Sequence, residues 1–269
     1  MTLSIATVSL LSIPSFAEFD IRGVNLMTES ITVEPRGQSG LSTFTVAGKS
    51  YSNYTSVNST LISGAYGSTT IKSNSGSVGE GCLYAHANLY DKAGNVIKTA
   101  DWRHNSSSTT SFTNKTANGM KKGTFYTKGT TKVYNGNGYT TQSANRSPDL
   151  TISSVGGTGR SISPEESPDI ILKNVGGNIS SEELNERMHL YETKAMISAI
   201  GLNNTHGYVS LNDLYDTQNE PKTLEEAIMY GKAKAIEEYR LIPLYDNDGE
   251  TVIGQYKIDR GITSEDISQ

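Results

Sequence analysis

A chain of 269 residues with 26 glycines, 35% hydrophobic content and one cysteine is long enough for one large domain or two ordinary ones, and no internal disulfide can hold it together. Its net charge of −5 conceals a division: 18–148 carries 13 Lys and Arg against 7 Asp and Glu, whereas 149–269 carries 10 against 21. The basic half holds four arginines and no recognition element, so nucleic-acid binding is not expected; the opposite signs let the two halves attract each other or each face a different partner.

Residues 1–17, MTLSIATVSLLSIPSFA, are uncharged and end in Ser15-Phe16-Ala17, with small residues at the two positions a signal peptidase reads. A secretory signal cut before Glu18 is predicted, although no lysine or arginine precedes the apolar run. The protein is therefore expected in the medium or at the cell surface. No later run reaches 18 apolar residues, so an integral membrane protein is not expected.

From 18 to 139 the chain reads as a Ser/Thr/Asn-rich β domain. Short β-branched or aromatic runs recur at 30–35 (SITVEP), 42–48 (STFTVAG), 68–73 (STTIKS), 82–91 (CLYAHANLYD), 95–104 (NVIKTADWRH), 109–116 (TTSFTNKT), 123–129 (GTFYTKG) and 131–136 (TKVYNG), separated by glycine-containing turns. The expected fold is mainly β: an antiparallel sandwich or partly closed barrel, followed by a small acidic α+β module. Alternating hydroxyl and apolar residues over 51–77 also admit a membrane-inserting β hairpin, as in a β toxin. Seven N-x-[ST] sequons, at Asn53, Asn58, Asn105, Asn114, Asn145, Asn178 and Asn203, are either glycan acceptors or a consequence of composition.

Residues 140–169 hold Gly, Ser and Pro with little periodicity and are read as a linker or loose surface segment. VGGTGR within it lacks the spacing and the lysine of a phosphate loop. The α+β module, 170–262, begins with a helix over 179–201, announced by Ser180 and Glu183 as a capping box and stopped by Gly201. A second helix follows Thr223 and Glu226, with Leu224, Ala227, Ile228, Gly231 and Ala235 as its inward stripe. Between them, 206–215 supplies a strand and a turn. RLIPLYDNDGETVIGQYKI, 240–258, is a hairpin, and 263–269 a frayed tail.

LYDNDGETVI in that hairpin echoes LYDKAGNVI at 89–97. Aligned as an EF-hand with Gly249 at position 6, it offers Asp248 and Asp246 but places Leu244 at position 1 and Gln255 at position 12, so it fails. Asp246, Asp248 and Glu250 remain the candidates for a looser metal site. The pair is better explained as two turns of one kind, Asp91 with Gly94 and Asp246 with Gly249, in which Asp accepts backbone N–H groups and Gly takes the left-handed position. No cofactor is indicated.

Pairing about the 92–94 turn brings Cys82, His86 and His104 into range of one another, with Asp101 beside them, which is the material of a Cys/His hydrolase or a metal site. No motif of diagnostic spacing supports it. Trp102 and Arg103 with Tyr134 and Tyr139 suggest instead an aromatic platform rimmed by Asn and Ser. The functional expectation is an exported binding protein, its partner a protein, a glycan or an anionic envelope polymer; the competing expectations are the hydrolase and the toxin.

Overall fold

The computed structural model describes residues 37–60, 64–117, 122–152 and 180–266. The expected signal at 1–17, the strand at 30–35 and VGGTGR lie outside them. Among the described residues nine strands precede the first helix: β1 (Ser42–Val46), β2 (Lys49–Thr60), β3 (Gly64–Ser73), β4 (Leu83–Asp91), β5 (Val96–His104), β6 (Ser111–Lys115), β7 (Gly123–Tyr134), β8 (Tyr139–Ser143) and β9 (Leu150–Ile152). There follow α1 (Ser181–Lys194), β10 (Met196–Ile200), β11 (His206–Ser210), α2 (Leu211–Tyr215), α3 (Leu224–Ile236), β12 (Tyr239–Tyr245), β13 (Val252–Asp259) and β14 (Ile262–Thr263).

The strands form two sheets, β1-β2-β3-β6-β14 and β10-β11-β12-β13-β5-β4-β7-β8, with β9 paired to β7. The first packs on the β5-β4-β7 part of the second as a sandwich. Val46, Tyr51, Ile71, Leu83, Ala85, Phe112 and Val133 fill one apolar cluster between them, and Val57, Ala65, Leu89, Ile97 and Phe125 another. Between these clusters the interface is polar and tight. Gly67 lies against Thr127 and Gly129 against Thr69, each glycine admitting the opposing threonine. Asn114 of β6 donates to the carbonyls of Ala85 and Asp101, tying the sheets together.

β5 uses both its edges. One pairs with β4; the other pairs with β10 at Val96 and with β13 at Ala100, so β10, β11, β12, β13 and β5 close into a five-stranded barrel. Val96, Ala199, Val209, Ile242, Leu244, Tyr256 and Ile258 fill it. The expected sandwich is present in the N-terminal region, while the closed barrel draws four of its five strands from the later module, and β5 belongs to each. The acidic module follows in sequence as expected, yet its strands extend the same sheet as the basic region rather than forming a separate one.

Local readings differ from the structure where tertiary contacts intervene. The runs at 123–129 and 131–136 are one strand, β7, because Gly129 is held extended opposite Thr69 instead of turning. Residues 140–152, expected as linker, supply β8 and β9. Ser180 caps α1 as expected, but the helix stops at Ala195, left-handed at φ 50°, and 196–200 becomes a barrel strand; only Leu190 of the helix is buried. α3 has the full Thr223/Glu226 box and buries Ala227 and Gly231. A third helix, α2, replaces the expected turn. Thr263, expected to fray, pairs with Asn114 and is fully buried.

The two echoing turns share one backbone bond, Gly94 N to Asp91 O and Gly249 N to Asp246 O, but differ in length and in which Asp side chain accepts. Asp91 accepts from Asn95 N and Nδ2 and Gly94 sits at φ 83°. Asp248 accepts from Glu250 N, Thr251 N and Thr251 Oγ1, and Gly249 sits at φ 66°. Those bonds hold the Asp248 carboxyl down to about 2. Asp246 accepts from Asn247 N, and Glu250 pairs with Lys194 at 2.8 Å. All three candidate metal ligands are thus engaged by the turn and its neighbour.

Candidate functional site

Both faces of β4 are covered, which places the candidate residues in two different layers. Leu83, Ala85 and Leu89 face the sandwich; Tyr84, His86 and Asn88 face the opposite way, towards α2 and α3. Tyr84 Oη donates to Ala227 O at 2.7 Å, fixing α3 on the sheet. His104 lies beneath the same helix, at Gly231, the ring 5.2 Å from Tyr84 and Nδ1 2.8 Å from Asn105 O.

His86 is fully buried, its ring 5.2 Å from Trp102 and 4.8 Å from Tyr215. Neither ring nitrogen has a well-formed hydrogen bond; the Leu214 carbonyl is the only backbone acceptor acting on it. Burial pushes the imidazole down to about 3. Cys82 packs instead against the sandwich cluster, half-buried, and burial pushes its thiol up. No hydrogen bond or ring contact joins Cys82 to either histidine, and among the described residues no three His, Cys, Asp or Glu side chains group around a metal position. The Cys82, His86 and His104 cluster is thus corrected: Cys82 precedes β4 and packs on the sandwich cluster, while His86 and His104 both lie on the helix-facing side but among different neighbours.

The neutral, buried His86 has a consequence for stability. The unfolded chain binds a proton below about pH 6.5 and the folded chain does not until about pH 3, so stability is lost as pH falls through that interval. Between pH 7 and pH 5 this residue should cost ~2 kcal/mol, read from urea midpoints. His86→Leu should lose that much less over the same range; an unchanged acid slope would remove His86 as its source.

Trp102 corrects the platform reading. It is 3% exposed, its Nε1 donating to Tyr215 O at 3.0 Å, and so lies under α2 rather than at the surface. Arg103 points elsewhere, 3.8 Å from Asp266. Tyr139 is half-buried and donates to Gly81 O. Tyr134 is likewise half-buried, beside the exposed 135–137 loop, with Tyr134 Oη donating to Gly136 O at 3.0 Å.

Asp101, taken from the sequence as a partner for histidine, is the centre of a buried ionic cluster. Arg240 of β12 reaches it at 2.8 Å and Lys234 of α3 at 3.5 Å, and Arg240 also donates to the carbonyls of Asp213 and Leu214. Lys234 lies 3.3 Å from Asp216, which accepts from Tyr230 Oη. Burial opposes ionisation of Asp216, but the bonds from Asn219 and Tyr230 and the Lys234 charge outweigh it and hold the carboxyl below its usual range. Lys132–Glu220 at 2.6 Å and Lys98–Asp259 at 3.9 Å add further contacts between the regions. The expected electrostatic contact is present, yet its buried centre reverses the net charges: the acid comes from the basic region and the cations from the acidic one.

No family model, curated protein or solved structure matches this chain. Among the described residues no helix is long and apolar enough to cross a membrane. The 51–77 segment, read as a possible membrane hairpin, forms β2 and β3, with Asn53, Thr55 and Val57 buried against the second sheet. Asn53, Asn58, Asn105 and Asn114 are buried in the fold, so four of the seven sequons are closed to modification after folding.

A concavity lies where three strand connections meet: the β1–β2 turn, the 77–82 segment and the β7–β8 loop. It encloses about 310 Å³ and is lined by Lys49, Ser77, Cys82, Tyr134 and Asn135, together with Tyr51, whose ring is otherwise buried in the sandwich core. Sequence reasoning singled out Tyr134 and its loop but missed Lys49 and Tyr51, which stand more than 80 positions away and carry no local signal. The volume falls within the range of small-ligand sites, and the lining mixes aromatic faces with hydroxyl, amide and ammonium groups.

Proposed function

We propose that this is an exported binding protein that takes a polyhydroxylated ligand, a glycan chain end, into the cleft between its hairpin tips. The observation that carries the reading is the 310 Å³ cleft, in which two tyrosines, an amide, a serine and a lysine line one opening. Aromatic rings cover the apolar face of a sugar while amide and hydroxyl groups meet its rim. Export is supported by residues 1–17. Lys49 would add affinity for an anionic polymer. The hydrolase reading is less well supported, because neither His86 nor His104 stands beside Cys82 as its base.

Retention on envelope polysaccharide tests the proposal. Tyr134→Ala should weaken retention at least about tenfold with the fold intact, and Lys49→Ala should weaken it in a salt-dependent way. Unchanged retention of both variants would remove the cleft as the binding site.

A further inference from the structure

A second cleft, sharing no residue with the first, lies on the other face of the sheet. Tyr84, Trp102 and Tyr139 form its floor and Tyr215 and Tyr230 its cover. Tyr84 and Tyr139 meet edge to face at 5.1 Å, and Tyr84 and Trp102 at 6.4 Å. The ammonium of Lys132 stands 4.4 Å from the Trp102 ring centre and 2.6 Å from Glu220. An electron-rich aromatic wall with a carboxylate at its rim is the chemistry that recognises an organic cation.

Lys132 is only 9% exposed, an unusual place for a lysine. Its position on β7, opposite Tyr84 and Thr141, points it into this cleft. The volume left beside it is about 10 Å³, room for about one water, so the lysine fills the site. Its counter-ion differs from those of the neighbouring ionic cluster. Asp101 and Asp216 are buried, but the Glu220 side chain is 40% exposed, on the short connection between α2 and α3. The pair can therefore part without opening the core.

We propose that this aromatic cleft is a binding site for a primary alkylammonium group, and that Lys132 is its internal occupant. An incoming ammonium takes the place over Trp102 and the bond to Glu220, and the displaced Lys132 head moves to solvent. An internal occupant competes at high effective concentration, so the native chain binds weakly and removal of the Lys132 ammonium exposes the full affinity.

The protein's single tryptophan sits in the site and reports on it. Full-length Lys132→Ala should show a saturable change in Trp102 emission with n-butylammonium, at least about tenfold tighter than the native chain, and none with n-butanol, its uncharged counterpart. Adding Glu220→Gln should weaken that response at least about fivefold. An equal response to n-butanol, equal affinity in the native chain, or no response from a variant with native near-UV circular dichroism would each overturn the proposal. Should Lys132→Ala fail to fold, the native chain decides: a saturable response to n-butylammonium that Glu220→Gln removes supports the site, and its absence overturns it.

Discussion

Asp101→Ala should cost about 3–5 kcal/mol, the largest loss expected from any single truncation in this molecule. The substitution leaves Arg240, 16% exposed at its side chain, and Lys234, 12% exposed, without the carboxylate between them. Arg240 keeps the carbonyls of Asp213 and Leu214, and Lys234 keeps Asp216, so the loss is of charge compensation more than of every hydrogen bond. A buried cation deprived of its partner is penalised by desolvation that nothing repays. Arg240→Met should also destabilise, but the Asp101→Leu/Arg240→Met pair should recover part of each loss, because matched apolar groups need no counter-charge. Urea midpoints of the four proteins give the coupling. A loss below about 1 kcal/mol for Asp101→Ala would show that solvent already screens the cluster.

Gly129→Ala should be the second severe change, costing about 1–3 kcal/mol or more. The added methyl overlaps Thr69 Oγ1 and stands 2.8 Å from Thr69 Cβ, so rotating the threonine cannot clear it. The sheets must part, and the close fit of Gly67 on Thr127 is lost at the same time. Thr69→Ala added to Gly129→Ala should relieve the oxygen overlap and restore part of the stability, since Cβ still crowds Cβ. If thermal unfolding of Gly129→Ala matched the native chain, the sheets would have to approach less closely than this interface requires.

These two sites mark the limit of what the chain discloses locally. Gly129 reads as a turn between two strands, and nothing nearby reveals that Thr69, sixty positions earlier, needs its space. Asp101 stands next to Trp102 and Arg103 in sequence and so invites a shared surface role. The pleat instead sends Trp102 under α2, and Asp101 meets an arginine 139 residues away. The candidate hydrolase fails in the same manner: Cys82 stands just before β4 and packs into the sandwich cluster, while His86 within the strand is claimed by Trp102 and Tyr215 on the helix-facing side. Tyr134 was legible because its loop, NGNG, carries turn chemistry that keeps it at the surface.

Local chemistry was enough for several features. The sequence by itself determined the β-rich class, the caps at Ser180 and Thr223, the two Asp/Gly turns and the order of a β region before an α+β region. Each of these is set by neighbours within a few positions, through hydrogen bonds and backbone preferences that act before the chain is folded. Only the tertiary structure decided that β5 closes a barrel on one edge and joins a sandwich on the other, that α1 ends at Ala195, and that Lys132 lies over Trp102. Those outcomes depend on burial and charge compensation between residues far apart in the chain, where composition states how much of each group is present and the packed layers decide which of them meet.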